Sequence, residues 1–379
     1  MTSICIDARW LQTGIGTYTF NLIRELGRRD ELDLHVLTLR CHMSALSAHC
    51  SDVRVVDTPI YSIAEQFAVT AAARNFSLLH VPHYNAPLPR QGNLLVTIHD
   101  LTHILAPGFH TTWKTRLYAQ PMLRLAARKA AHIFTVSEYS KRQIMERLGV
   151  SGEKVTVAYN GVAPHFFPER GEEARETFRR ACGVDRPYIL CVGNLKPHKN
   201  IDGLLRAFAL LNSRVSLSCD LVVVGDNSAL GPALRNLAAK LGVSGATRFV
   251  GRVTDDELRA AYSAAELTVL PSFEEGFGLP VLESMACGTP VACSQAASLP
   301  EVGGNAAVYF DPHDVASMAE AMRMLLESSA DRERYRRLGL ENATRFTWTD
   351  CADRHLHIYR QFNSVQDHAH HHLGTEPSV

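Results

Sequence analysis

The sequence predicts an α/β protein made of two doubly wound, Rossmann-like domains, and three observations lead there. Short apolar runs recur along the chain, each followed by a longer stretch of helical period, as parallel strands crossed over by helices require. The alternation occurs twice, on either side of "NGVAPHFFPERGEE", residues 160–173, where two prolines and a charge run interrupt it. At 379 residues the chain is also long for one core, so two domains are expected.

In the first half "SICIDA", "LHVLTL", "SLLHV", "NLLVTI", "HIFTVS" and "KVTVAY" read as strands; in the second "YILCVG", "DLVVVG", "TRFVG", "LTVLPS" and "TPVACS" do. Helical patterns such as "LLRAFALLNSR" and "ALRNLAAKLGV" lie between them. Residues 1–165 form the expected first domain and 166–346 the second. A last helical stretch, 347–363, is expected to return to the first domain, with 364–379 as a disordered, His-bearing tail.

Apolar content of 46% and charged content of 21% are those of an ordinary soluble globular protein. The formal net charge is zero, which argues against a dedicated nucleic-acid binder. Charge is uneven, however: residues 1–165 hold 17 Lys and Arg against 12 Asp and Glu. No acidic residue falls between Asp100 and Glu138, while Lys114, Arg116, Arg124, Arg128 and Lys129 do. On a helix, stretch 114–129 offers either a solvated face or a basic one suited to a membrane surface or an acidic acceptor. The nine cysteines show no Cys-x-x-Cys pair and no zinc spacing. The start lacks a secretory layout and no apolar run nears the roughly 20 residues that cross a bilayer. A cytoplasmic protein is expected, at the cytoplasmic face of the inner membrane if the basic stretch makes its contact.

"FEEGFGLPVLESMACGTPVA", residues 273–292, is the most informative stretch. It follows the strand "LTVLPS", so its first residues form the loop at that strand's carboxyl end, where doubly wound folds bind ligands. Gly276 and Gly278 let backbone approach a ligand, Pro280 suits a helix start, and that start presents N–H groups to an anion. Glu283, one turn into the helix, reaches a ligand hydroxyl pair there. As structure alone, Glu283 would answer the helix dipole and the glycines would make a turn.

The stretch closely resembles the signature of retaining glycosyltransferase family 4, and the resemblance covers nearly the whole chain. It implies a GT-B architecture, two Rossmann-like domains facing across a cleft, with the first binding the acceptor and the second the nucleotide sugar. Glu275 and Glu283 fit the family's Glu-x7-Glu spacing. The resemblance gives Glu283 the ribose of the nucleotide, and sets Glu275 beside the transferred sugar as an electrostatic stabiliser rather than a nucleophile. It places the backbone of Phe277, Gly278 and Leu279 against the sugar and diphosphate.

"LCVGNLKPHKN", residues 190–200, matches the segment where the family holds the diphosphate with an Arg and a Lys. Lys199 matches the Lys; Asn194 or Lys196 stands in for the Arg. A leaving diphosphate gains negative charge as its bond breaks, so a cation here acts most strongly in the transition state. Gly14 and Gly16 of "QTGIGTYTFNL" resemble the family's glycine-rich loop, though Thr19 occupies the third glycine place that a dinucleotide site wants. His99 matches a histidine beside the donor sugar, and a lone His is otherwise more often structural. Ser137, Asn160 and Gly161 match positions near the cleft, and Val250 with Gly251 the segment whose backbone reads the base.

The chain thus reads as a retaining hexosyltransferase of cell-surface polysaccharide or lipopolysaccharide synthesis. Segments 97–118 and 192–200 look most like mannosyl-type enzymes, making GDP-mannose the first choice of donor. A GDP-deoxyhexose such as GDP-rhamnose, or a UDP-sugar, is the alternative, and a saccharide or lipid-linked saccharide is the acceptor. No metal or other cofactor is expected: the chain has no Asp-x-Asp, and a lysine with a helix start can meet the diphosphate. Other classes are a nucleotide-sugar epimerase, a phosphorylase, or an inactive nucleotide-sugar-binding subunit. A dinucleotide oxidoreductase is disfavoured, because no acidic residue sits at a strand end about 20 residues past the glycines.

Overall fold

In a computed structural model, residues 2–371 are described apart from 12–13, 88, 90–91, 103–112, 170, 215–218 and 226–229. Parallel strands buried on both faces need near-continuous apolar sequence, and the runs above supply it. β1 (Thr2–Asp7), β2 (Leu32–Thr38), β3 (Asp52–Val55), β4 (Leu78–Val81), β5 (Asn93–Thr97), β6 (His132–Thr135) and β7 (Val155–Val157) form one parallel sheet in the order β3-β2-β1-β4-β5-β6-β7. β8 (Tyr188–Val192), β9 (Asp220–Val224), β10 (Thr247–Val250), β11 (Leu267–Leu270), β12 (Val291–Ser294) and β13 (Ala307–Phe310) form a second, in the order β10-β9-β8-β11-β12-β13.

Each order reverses direction once, between β1 and β4 in the first sheet and between β8 and β11 in the second. Register across these pairs sets Cys5 opposite Leu79 and Ile189 opposite Leu267. Connections leave such a point toward opposite sides, which opens a crevice at the carboxyl edge.

The second unit, residues 162–346, shows the period of two directly. Ile189, Leu221 and Val223 bury one face against Leu204, Phe208 and Met322. Tyr188, Leu190, Val222 and Val224 bury the other against Phe178 and Ala261. Each such side chain stabilises by roughly 1.5–3 kcal/mol. The sequence missed β3 and β13; both are sheet edges.

The first unit closes with the chain's last helix, Trp348–His371. The chain leaves that unit after Gly161 and returns at Thr347, rather than leaving at 165. Gly161 is required there, since a Cβ would lie 2.1 Å from the Trp348 nitrogen. The expected disordered tail from 364 is also corrected, because the helix continues through His371. No Pro or Gly interrupts the sequence before Gly374, and each added residue extends an established ladder. Residues 372–379 lie outside the described residues. Stretch 114–129 falls in the helix Trp113–Lys129, with Arg124, Arg128 and Lys129 exposed; the side chains of Lys114 and Arg116 lie outside the described ones.

A buried polar chain joins the last helix to the sheet. His355 Nδ1 lies 2.7 Å from the Cys351 carbonyl, so that nitrogen is the donor. Its Nε2 then accepts from Tyr18 Oη at 2.7 Å. Tyr18 in turn accepts from Thr97 Oγ1 at 3.0 Å. Thr97 accepts from His80 Nε2 at 2.8 Å, and His80 Nδ1 accepts from Tyr359 Oη at 2.7 Å. The direction is consistent throughout only if both imidazoles are neutral. Burial lowers both, His355 to about 3 and His80 well below the usual value.

Protons therefore bind these histidines more readily in the unfolded chain, whose value is near 6.5. Stability is full above pH 6.5 and falls as pH drops from there toward about 3. His355→Gln should melt lower at pH 7.5 yet lose less between pH 7 and 5 than the parent. Equal slopes in scanning calorimetry would refute the assignment.

Candidate active site

The second unit's crevice is built from the loops after β8 and β11. The turn after β9 packs tightly on the first of them. Gly225 has φ +153°, and a Cβ on it would sit 1.8 Å from the Gly193 carbonyl oxygen. Its N–H donates to Val250 at 3.1 Å, while Gly193 donates to Val224 at 2.9 Å. The loop after β8 then makes one 3₁₀ turn, Pro197–Lys199. Asn200 ends the turn at φ +54° and donates its amide to the Pro312 carbonyl at 2.8 Å. Phe273 N–H donates to the His198 carbonyl at 2.8 Å, tying the two loops together.

This arrangement brings Lys199 onto Glu275. Lys199 Nζ lies 2.6 Å from Glu275 Oε1, and Ser272 Oγ donates to the same oxygen at 2.7 Å. The side chains are only 17% and 10% exposed, so water screens the pair less than a surface one. Ser298 Oγ lies 3.0 and 2.9 Å from the Glu275 and Phe277 carbonyls, holding the loop's backbone.

Gly278, at φ +103°, caps the helix Leu279–Ala286, with Pro280 in its first turn. A Cβ there would meet Leu299 at 2.5 Å. Glu283 sits one turn in and accepts from Tyr262 Oη at 2.8 Å on Oε2. Removal from water pushes its carboxyl up to about 7, while the tyrosine hydroxyl pulls it down. A carboxylate poised near neutrality at a sheet's carboxyl edge is a candidate functional group.

The site can therefore present a cation to an anionic ligand and a carboxyl to a hydroxyl pair. Lys196, exposed on the same loop, can supply further positive charge. Among the described residues, no group of three or more His, Cys, Asp and Glu is placed to hold a metal ion.

Lys199, Glu275, Phe277, Gly278, Leu279 and Glu283 fall on two neighbouring loops and the helix that follows the second. Phe277 is buried and packs edge-on to Phe346 at 5.9 Å, so its backbone rather than its ring is available. Asn194 is exposed beside Lys196. Val250 and Gly251 end the edge strand β10, and the Val250 carbonyl already accepts from Gly225.

The remaining predicted residues belong to the first unit. His99 Nε2 donates to the Pro82 carbonyl at 3.1 Å, its ring meets Tyr18 edge-on at 4.7 Å, and burial lowers its pKa. Ser137 caps the helix Glu138–Leu148 by accepting from Ser140 N–H. Asn160 is buried. The expected glycine-rich loop is corrected: Gly14 and Gly16 lie in the helix Gly14–Leu26. Gly16 is needed because a Cβ would sit 2.2 Å from the Leu11 carbonyl oxygen. Sequence reading missed Tyr262, Ser272 and Ser298. Ser272 was signalled by its place at a strand's carboxyl end, whereas the other two come from distant segments that only the fold brings in.

Two family models match the chain: "Glycosyltransferase Family 4" over residues 12–166 and "Glycosyl transferases group 1" over 174–342. O-antigen chain mannosyltransferase B of Escherichia coli is 31% identical over 283 residues, 75% of this chain and 74% of that protein. O-antigen chain mannosyltransferase RfbU of Salmonella typhimurium is 30% identical over 265 residues, 70% and 69% of the two chains. The solved structure of Anabaena HepE with UDP and glucose matches with a TM-score of 0.77 at 19% identity, over 95% of this chain and all of that one. With two parallel-sheet Rossmann-like units, the GT-B fold and matches over both halves, the chain belongs to glycosyltransferase family 4 and is a glycosyltransferase.

Proposed function

We propose that the protein transfers a hexose, with retention of configuration, from a nucleotide diphosphate sugar to a saccharide or lipid-linked saccharide in cell-surface polysaccharide synthesis. The observation that carries this reading is the Lys199–Glu275 pair at the second sheet's switch point, on the loop that leads into the helix bearing Glu283. GDP-mannose is the donor we favour, because the curated relatives at about 30% identity over most of the chain are O-antigen mannosyltransferases. A UDP-hexose is the second reading, favoured by the likeness to HepE solved with UDP and glucose.

In this reading the donor diphosphate displaces the Glu275 carboxylate from Lys199, and Lys196 and the start of helix Leu279–Ala286 add positive potential. Charge growing on the leaving diphosphate then meets a cation already in place, without a divalent ion. Glu275, freed toward the sugar, stabilises the positive charge that develops at the anomeric carbon. Its Oε1 is held by Lys199 and Ser272, which suits electrostatic work better than nucleophilic attack. Same-face attack by the acceptor, with a diphosphate oxygen taking its proton, gives retention.

A panel of GDP- and UDP-sugars should raise the melting temperature most with GDP-mannose, since a ligand that binds only the folded state stabilises it. A larger shift with UDP-sugars selects the second reading, and none with any nucleotide sugar sinks both. Donor affinity should rise with pH through about 7, because ionised Glu283 is the better acceptor for two ribose hydroxyls. A sugar diphosphate diester does not itself titrate there. Calorimetry at pH 5.5–8.5 should show a slope nearing about tenfold per pH unit on the acid side, absent in Glu283→Gln. Lys199→Ala should lower kcat by about 10²–10³, with partial recovery in Lys199→Arg; an unchanged kcat removes Lys199 from the mechanism.

A further inference from the structure

Glu283 is held from outside its own helix, and the residue that holds it is itself braced. Tyr262, in the last turn of the helix Asp255–Ala264, donates its hydroxyl to Glu283 Oε2 at 2.8 Å. Its ring is fully buried and meets Phe166 edge-on, ring centres 6.0 Å apart. Its carbonyl accepts from Thr289 Oγ1 at 2.6 Å. Thr289 lies just past the helix Leu279–Ala286 and donates its N–H to the Ser284 carbonyl at 3.0 Å. Side chain and backbone of one tyrosine thus grip the helix that bears Glu283 at two places.

The grip matters because a glutamate on a helix otherwise samples several rotamers. With Oε2 tied to a rigid ring, Glu283 keeps one orientation. Its Oε1 has no hydrogen-bond partner among the described residues and remains for a ligand.

The bond also acts on charge. A donating hydroxyl favours the ionised carboxyl, opposing the burial that pushes Glu283 up. Burial, and then the facing carboxylate, hold the tyrosine hydroxyl itself well above its usual value, so it stays protonated. The neighbouring elements supply no substitute. Asp255, on the tyrosine's own helix, pushes Glu283 further up. Cys191, Cys287 and Cys293 are all raised by burial and stay neutral. The helix Leu299–Gly303 carries Glu301, a further carboxylate. The helix Ser329–Ala343 brings Arg336 against Gly288, past the far end of the Glu283 helix.

We propose that Tyr262 is a positioning residue for donor binding: its hydroxyl holds the Glu283 carboxylate in one orientation, with Oε1 turned to the ligand's hydroxyls. The proposal deepens the transferase reading above and rests on it for the identity of the ligand.

The test is calorimetric titration of the full chain with GDP-mannose and UDP-glucose from pH 6 to 9, in parent and Tyr262→Phe. For the sugar nucleotide that the parent binds, the variant should be about fivefold weaker at pH 7, because the unaided carboxyl ionises about one pH unit later. The gap should narrow to about twofold or less by pH 9, and its pH dependence should vanish in a Glu283→Gln background. A second readout needs no ligand. Folded Glu283 loses stability as pH rises from 4.5 through about 7, and without the hydroxyl that loss runs on to higher pH. Tyr262→Phe should therefore lose more melting temperature between pH 7 and 8.5 than the parent.

An affinity gap that does not change with pH, or identical melting profiles, overturns the proposal. If Tyr262→Phe does not fold, the parent grown with 3-fluorotyrosine decides. Its more acidic hydroxyls are stronger donors and should move the affinity midpoint to lower pH; an unmoved midpoint overturns the proposal. A parent that binds neither nucleotide sugar sinks the transferase reading and the donor role with it. Melting profiles that diverge all the same would leave Tyr262 as the holder of Glu283.

Discussion

Where a parallel sheet reverses the direction of its connections its carboxyl edge is left open, and both units of this protein are arranged around such a point. At a reversal, neighbouring strands send their loops to opposite sides, so backbone groups and polar side chains are left facing an open edge. In the second unit the loops after β8 and β11 fill that edge with Lys199, Glu275 and the start of a helix. The rest of the unit holds them still: Gly225 lets the β9 turn pass Gly193, Asn200 ends the 3₁₀ turn, and Ser298 fixes the 275–277 backbone. None of these residues needs to touch a ligand to matter.

Much of this was legible in the sequence, for a physical reason. Interior strands of a parallel sheet are buried on both faces, so β1, β4, β5, β8, β9, β11 and β12 show as apolar runs in any window. β3, "DVRV", and β13, "AVYF", are edges with part-exposed side chains, and their mixed character hides them. Site residues within one loop, such as Glu275 and Gly278, were legible because spacing and turn chemistry are local. Tyr262, which meets Glu283 from 21 positions away, carries no local signal. Gly16 misled for the opposite reason: a glycine needed for packing against Leu11 looks, in sequence, like a glycine needed for a ligand.

Glu283 shows what the site gives up by holding a carboxyl out of water. Its folded value near 7 exceeds the ordinary 4.5, so its contribution to stability is present below pH 4.5 and is lost as pH rises through about 7. The fold tolerates a carboxyl that resists ionisation because the helix Leu279–Ala286 is anchored elsewhere, through buried Val281, Leu282 and Met285. A ligand hydroxyl pair that stabilises the anion would recover that loss.

The two switch points carry opposite electrostatic arrangements, and this difference favours different ligands. Lys199 has one carboxylate partner, with both side chains partly exposed, so an incoming dianion has a single ion pair to displace. Arg9 is held by two carboxylates, one of which also ties down Tyr61 N–H and Asn85. An anion entering there would have to break several buried charge-assisted bonds at once, and each broken bond would strand a carboxylate. The same sheet geometry thus yields one edge whose cation has a single carboxylate partner and another whose cation is already committed to two buried ones.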